Sequence, residues 1–110
     1  MRKVTELTVK ALINGMNRTV GNTSVEYNTD KDRYELRLHG NMIAYRTCGV
    51  QRMYISSADW HTNTTKERIN GVIDIFCRNT GRVYQRDFEW FYTVNDEKRE
   101  FPCSEFVEVN

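Results

Sequence analysis

The regular alternation of apolar and polar side chains from Arg33 to His39 predicts an antiparallel strand with one buried face. Gly40-Asn41 follows and fits a two-residue hairpin loop, since glycine readily supplies the positive φ that begins a type II′ turn. The return segment, residues 42–45, is apolar at successive positions and is therefore predicted to form a central strand. Another strand is predicted at residues 53–55, and the short connections make these three strands a meander.

Weaker patterns on both sides of this meander predict further strands. An edge strand is expected at Thr23–Tyr27, with a polar turn at residues 28–32 after it. Downstream, two strands are expected at Val83-Tyr84 and Phe88–Val94, the second with one apolar face formed by Phe88, Trp90, Tyr92 and Val94. A last short strand is expected in the tail, formed by Phe106, Val107 and Val109.

The first fourteen residues favour a short helix. Apolar side chains fall at helical spacing between Val4 and Leu12, and Gly15 follows as a stop signal. The alternation of Val4 and Thr8 among β-branched neighbours also allows a strand, and that alternative stays open at this point.

A second helix is predicted from Thr64 onward. Thr64 and Glu67 have the spacing of a capping box, in which both side chains bond the exposed amides of a helix start. A basic last turn and a terminal glycine are expected at residues 78–81. The apolar stripe of this helix consists of Ile69, Val72, Ile73 and Phe76.

Together these elements predict an α+β fold in a single domain, residues 1–110. The expected architecture is an antiparallel sheet of about five to six strands, with one central helix packed on it and a short N-terminal helix. A chain of 110 residues has room for one hydrophobic core. With 39% hydrophobic and 28% charged residues, the chain is expected to fold rather than to be disordered.

Charge and hydropathy limit the classes of partner. The apolar runs are too short to span a bilayer, and Met1-Arg2-Lys3 leads into no apolar signal region, so neither a membrane span nor a secretion signal is expected. The formal net charge is +1, but residues 1–94 carry fourteen basic and ten acidic side chains, while the tail from Asn95 carries two and five. A weakly basic body with an acidic tail is compatible with a small anionic ligand, and equally with an ordinary mixed surface.

Metal and thiol chemistry have little support. Cys48, Cys77 and Cys103 are widely separated and form no C-x-x-C pair. Free thiols in a reducing compartment are therefore expected, with no metal site and no cofactor.

Two stretches resemble a family of short proteins encoded by tailed bacteriophages. They are residues 36–44, LRLHGNMIA, and residues 60–70, WHTNTTKERIN, and GNTSV at residues 21–25 fits the same pattern. The resemblance covers residues 21–70 and no recognisable motif of the last third. It implies a phage origin, action in the cytoplasm of the infected host bacterium, and a role in host takeover or counter-defence. It supplies no catalytic residues.

The second of these stretches also has the most unusual local chemistry in the chain. Amides at a helix start, hydroxyls and an arginine one turn further on can hold a phosphate, and an indole can stack on a base. A plain helix cap with Trp60 as a core anchor remains the structural alternative. The candidate ligand-binding residues are Trp60, His61, Thr62, Asn63, Thr64, Thr65 and Arg68, with His39 and Asn41 from the hairpin.

Catalysis and nucleic-acid binding are less well supported. His39 and His61 are the two histidines, and they have no placed nucleophile or carboxylate partner, so the protein is predicted not to be an enzyme. Aromatic residues 88–92 lie among basic side chains as in single-strand binders, but Asp87 and Glu89 interrupt them. Core packing with cation–π contacts is the preferred interpretation.

The leading hypothesis is a non-enzymatic phage accessory protein that antagonises a bacterial defence or host process by binding, one form being sequestration of a nucleotide signal. The alternatives are an inhibitor that docks on a host protein and a weak nucleic-acid-binding protein. Partners are thus a small anionic ligand or a host protein, with homo-oligomerisation left open.

Overall fold

The described residues of the computed structural model, 1–77, 81–94, 97–102 and 105–109, form two helices and nine strands. The helices are α1 (Lys3–Asn14) and α2 (Asn63–Phe76). The strands are β1 (Arg18–Val20), β2 (Thr23–Asn28), β3 (Arg33–Leu38), β4 (Asn41–Thr47), β5 (Met53–Ile55), β6 (Gly81–Arg86), β7 (Glu89–Val94), β8 (Glu97–Glu100) and β9 (Val107–Val109).

The strands are divided between two antiparallel sheets. A six-stranded sheet has the order β1-β2-β3-β4-β5-β9, so the predicted meander is confirmed and β4 is central. Strands β6, β7 and β8 form a separate three-stranded sheet. The α+β class and a sheet of six strands are therefore confirmed, and the expectation of one sheet is wrong. Strand β2 is not an edge strand, because the short polar strand β1 pairs outside it.

The hairpin between β3 and β4 turns one residue earlier than predicted. Leu38 pairs with Asn41, so the two loop residues are His39 and Gly40, with φ angles of 50° and 81°. Two successive positive φ angles are typical of a type I′ turn, whose twist matches that of the strands it joins. Asn41 is consequently the first residue of β4 rather than part of the loop.

Helix α1 is confirmed, and the strand alternative for this segment is wrong. The helix ends at Gly15, which is left-handed with φ of 71°, and the next amide, of Met16, bonds the Ala11 carbonyl. The glycine avoids the steric cost that a Cβ has in this conformation. Val9, Ala11 and Leu12 are buried in the core.

The cap of helix α2 lies two residues before the first residue of the predicted capping box. Thr62 is the cap, and its Oγ1 accepts a hydrogen bond of 3.1 Å from the Thr65 amide. Thr64 and Glu67 do not cap the helix. The stripe is confirmed, with Ile69, Val72 and Ile73 buried and Phe76 half-buried. The helix ends at Phe76 and Gly81 starts β6, while the predicted basic turn at residues 78–80 lies outside the described residues.

The two helices occupy different places against the sheets. Helix α1 contacts β1, β2, β3 and β4, whereas α2 contacts mainly α1 and β6, with a smaller contact to β4. The placement of the central helix on the sheet is therefore not confirmed. Both sheets and both helices contribute side chains to one core cluster.

Glu35 is a charged residue where the alternation predicts a solvated face, yet it is only 4% exposed. Its carboxylate accepts bonds of 2.8 Å from Arg33 Nε, 2.8 Å from Arg37 Nη2 and 3.0 Å from Asn28 Nδ2. Burial by itself would raise the pKa of Glu35, but these hydrogen bonds outweigh it and hold the pKa below the ordinary 4.5.

This lowered pKa predicts acid sensitivity. The carboxylate's contribution is fully present above pH 4.5 and is lost as the pH falls through the lower folded-state pKa. We expect Glu35→Gln to make the free energy of unfolding less steeply pH-dependent in that window, measured by urea denaturation between about pH 3 and pH 7. Equal slopes for wild type and variant would contradict the assignment. Glu105→Gln, at an exposed position before β9, is the control.

Candidate functional site

A cavity of about 370 Å³ lies between the tip of the β3–β4 hairpin and the start of α2. Its volume is within the usual range of small-molecule sites. The two stretches that share the phage-family resemblance thus meet in space. The described residues that line the cavity are Leu38, His39, Asn41, Ile43, Trp60, Thr62, Thr64 and Thr65.

The hairpin supplies both an apolar wall and polar groups. Leu38 and Ile43 are 4% and 0% exposed, and both also belong to the core. His39 is exposed in the turn, as predicted, and its Nε2 lies 3.4 Å from the Asn22 amide nitrogen Nδ2. An imidazole can donate and accept hydrogen bonds, so His39 adds a polar group beside the apolar wall.

The helix supplies hydroxyls and its positive end. Thr62, Thr64 and Thr65 are the cap and first-turn residues of α2, and all three line the cavity. Thr62 Oγ1 and Thr65 Oγ1 lie 2.9 Å apart and bond each other. The partial positive charge of the helix start therefore borders the cavity and favours an anionic or strongly polar group there.

Trp60 is the most accessible aromatic wall of the cavity. Its side chain is 55% exposed, so the alternative of a core anchor is wrong. Ala58 and Asp59 before it both have positive φ, of 52° and 63°, which is uncommon for residues other than glycine. The Trp60 amide bonds the Ser57 carbonyl at 2.9 Å, and this tight turn holds the indole at the mouth of the cavity.

Arg68 is not available to an anion as predicted. It is 2% exposed, and its guanidinium donates 3.0 Å bonds to Thr23 Oγ1 and Thr5 Oγ1 and a 3.3 Å bond to Asn22 Oδ1. It also pairs with Glu67. This guanidinium joins α2 to α1 and β2, so its role in the structure is to hold the fold together.

His61 and Asn63 do not line the cavity either. The His61 ring stacks on Trp90 with ring centroids 4.6 Å apart, and its Nε2 lies 3.1 Å from Ser57 Oγ. Asn63 lines a separate polar groove between α2 and β6. The two histidines line two different cavities, so the structure does not bring them together as an acid–base pair.

The sequence did not indicate the apolar wall or a second aromatic surface. Leu38 and Ile43 have the pattern of ordinary core residues, and only the hairpin geometry shows that they also face a cavity. Phe88 was expected on the buried face of its strand with Trp90 and Tyr92, but it lies in the β6–β7 turn and is 94% exposed. The expected burial is correct for Trp90 and Tyr92, and the side chain of Val94 lies outside the described residues.

Comparison with known proteins places the chain in a phage family. The sequence profile of the Kyanoviridae Gp96 protein family matches residues 1–108. The chain belongs to this family. The resemblance to a phage protein family, drawn from residues 21–70, is thus confirmed and extends over nearly the whole chain. No curated protein and no solved structure matches the Gp96-family chain significantly.

The described residues of this Gp96-family chain give little support to a membrane span, a metal site or a reactive thiol. Neither helix is long and apolar enough to cross a membrane. Among the described residues, no group of three or more histidine, cysteine or acidic side chains could hold a metal ion. Burial raises the pKa of the half-buried Cys48 thiol, which disfavours the reactive thiolate. Cys77 is buried at the end of α2, and Cys103 lies outside the described residues.

Proposed function

We propose that this phage protein is a non-enzymatic accessory protein that acts by binding in the host cytoplasm, and that the cavity at the start of α2 takes a nucleotide-type ligand. The observation that carries the proposal is the meeting of an exposed indole with the hairpin tip and the helix start. Six of the nine predicted binding residues line that one cavity. Sequestration of a nucleotide signal, and with it the antagonism of a bacterial defence, is the form of binding we favour.

The chemistry of the walls supports a planar ring more directly than a phosphate. Trp60 offers a stacking face, and His39 and Asn41 offer hydrogen bonds to ring edges. No lysine or arginine is among the described residues that line the cavity. An anionic group would therefore rely on the first turn of α2, and the base should supply most of the affinity.

Titration with cyclic and ADP-ribose-type nucleotides tests this function, by thermal shift and by calorimetry. We expect Trp60→Ala to weaken binding about tenfold, because base–indole stacking contributes about 1–3 kcal/mol. Phe88→Ala removes a ring that is more exposed than Trp60 and lies outside the cavity, so it should leave the affinity unchanged. If none of these nucleotides binds, or if Trp60→Ala binds as tightly as wild type, the proposal fails.

Docking on a host protein is the second candidate function, and the 94% exposure of Phe88 favours it. Aromatic side chains are enriched at protein–protein contacts, and a solvated ring at a hairpin tip is accessible to a partner. A host protein captured from lysate should be lost with Phe88→Ala and retained with Trp60→Ala. The reverse pattern, or no stoichiometric partner at all, would remove this candidate.

A further inference from the structure

A second cavity, of about 230 Å³, lies beside the tip of the β6–β7 hairpin. It shares no described lining residue with the cavity at the start of α2. Four rings and two carboxylates surround it. These side chains belong to His61, Phe88, Glu89, Trp90, Glu100 and Phe101.

The rings form a partly buried aromatic cluster. Trp90 stacks on His61 on one side, and its centroid lies 6.1 Å from that of Phe101, with an interplanar angle of 28°. Trp90 and Phe101 are each 5% exposed, whereas Phe88 is almost completely exposed. Aromatic faces carry partial negative charge, and such clusters bind cations through their ring faces.

The backbone holds Phe88 beside this cluster at an energetic cost. Asp87 and Phe88 form the β6–β7 turn with φ angles of 52° and 67°. Asparagine and glycine are the common residues of such turns, and a bulky residue in this conformation is rare. The strained turn leaves the ring in solvent without the compensation of burial, which marks the tip as a contact site.

The rim of this cavity carries two carboxylates, and Arg86 is the strand partner of one of them, Glu89. Glu89 and Glu100 line the cavity, and within the part of the chain that the structure describes neither forms an ion pair. Lys66 lies near the Trp90 ring, with its Nζ 5.6 Å from the centroid, but it does not line the cavity. Two free carboxylates beside aromatic faces are complementary to a positive group and repel phosphate.

The surroundings fit an extended peptide better than a free small cation. Glu100 is the last residue of β8, the strand at one edge of the three-stranded sheet, and all four residues of β8 are exposed. An edge strand offers backbone groups with which an extended segment can pair. In addition, the Trp90 indole N–H is buried and has no hydrogen-bond acceptor among the residues that the structure describes. A peptide carbonyl can remove this cost after a small adjustment of the hairpin.

We infer that this cavity binds the lysine or arginine side chain of an extended basic segment of a host protein. The ring faces and the carboxylates of Glu89 and Glu100 would hold the cation, while Phe88 would cover its aliphatic stem. This inference rests on the second candidate function, contact with a host protein, and it names the chemistry of that partner.

A Gly-Ser peptide with one central lysine is the probe, with arginine and glutamine versions beside it. Binding to the full chain is followed by NMR through the indole resonance of Trp90, which Trp60→Phe distinguishes from that of Trp60. We expect saturable shifts with the lysine and arginine peptides and none with the glutamine peptide. We also expect Phe88→Ala and Glu100→Gln each to weaken binding by at least about threefold.

Glu26→Gln is the matched control, because it removes the same charge from an exposed position on the other sheet. The inference is overturned if Glu26→Gln weakens binding as much as Glu100→Gln, if the glutamine peptide shifts the resonance equally, or if tetramethylammonium binds more tightly than either basic peptide. Peptide binding without capture of a host protein would leave this pocket standing and remove the docking function. Capture of a host protein that depends on Phe88, without peptide binding, would support the docking function and remove this pocket as the site of a basic side chain.

Discussion

Replacing Arg68 with alanine is expected to lower the free energy of unfolding by about 3–5 kcal/mol, because it leaves the half-buried Glu67 carboxylate without its cation. The substitution also removes the hydrogen-bond donor to Thr5, Thr23 and Asn22. Thr5 belongs to α1 and Thr23 to β2, so the ties between α2 and these two elements are lost. The hydroxyl oxygens of Thr5 and Thr23 are buried, so the loss of their donor adds to the destabilisation. Chemical denaturation at neutral pH measures the effect.

The control for this experiment is Arg18→Ala, at an exposed position of β1, which should change stability by no more than about 0.5 kcal/mol. Arg68→Lys keeps the charge but not the planar fork of donors, so it should fall between wild type and alanine. If Arg68→Ala does not fold, the free energy of unfolding of Arg68→Lys still tests the prediction. An Arg68→Ala protein as stable as wild type would show that the buried network contributes nothing. For the same reason, a loss of ligand affinity in Arg68→Ala would not identify a ligand contact.

Gly71→Ala is expected to destabilise the protein by about 1–3 kcal/mol, although alanine is the better helix former by about 1 kcal/mol. A Cβ at position 71 would overlap Thr5 Cγ2, well inside contact distance. Gly71 lets α2 approach α1 closely, and Thr5 is fully buried at this contact. The two helices would therefore have to move apart to accept the methyl group.

A double-mutant cycle with Thr5→Ser tests this explanation. Serine removes the clashing methyl group and retains the hydroxyl that bonds Glu67 and Arg68. We expect Thr5→Ser to destabilise the wild type slightly and to recover most of the loss in the Gly71→Ala background. Additive effects of the two substitutions would show that the helix–helix contact at Gly71 is not the cause.

Several elements could be predicted because their signals are local. Alternation at residues 33–39, the apolar stripe from Ile69 to Phe76 and the glycine at position 15 each report short-range geometry. Their errors are also local. The cap is Thr62 rather than Thr64, and the sequence could not distinguish them because several nearby threonines offer equivalent cap oxygens. The hairpin turn is His39-Gly40 because strand pairing fixes the register, and the loop sequence does not specify that pairing.

The candidate site was predicted where it follows from a local pattern and missed where it depends on distant partners. Residues of the polar helix start and of the hairpin were both named as candidates, and the fold forms a cavity between the two segments. Arg68 was misread because a charged residue on a helix is usually solvated, whereas here its acceptors come from segments more than forty residues away. Phe88 was misread because its strand begins one residue later than the alternation suggests, at Glu89.

The amino-acid sequence by itself determined the α+β class, the meander and helix α2, because these follow from the spacing of apolar side chains along a few turns or strands. For the segment of α1 it left helix and strand both open, and the structure decided for a helix. Only the tertiary structure decided that β6, β7 and β8 form a second sheet while β9 joins the first. It also decided that α1 packs on β1 to β4 of the first sheet, and that the buried Arg68 joins both helices to that sheet. Partners in a sheet or a polar network are chosen by packing between distant segments, and no local window contains that information.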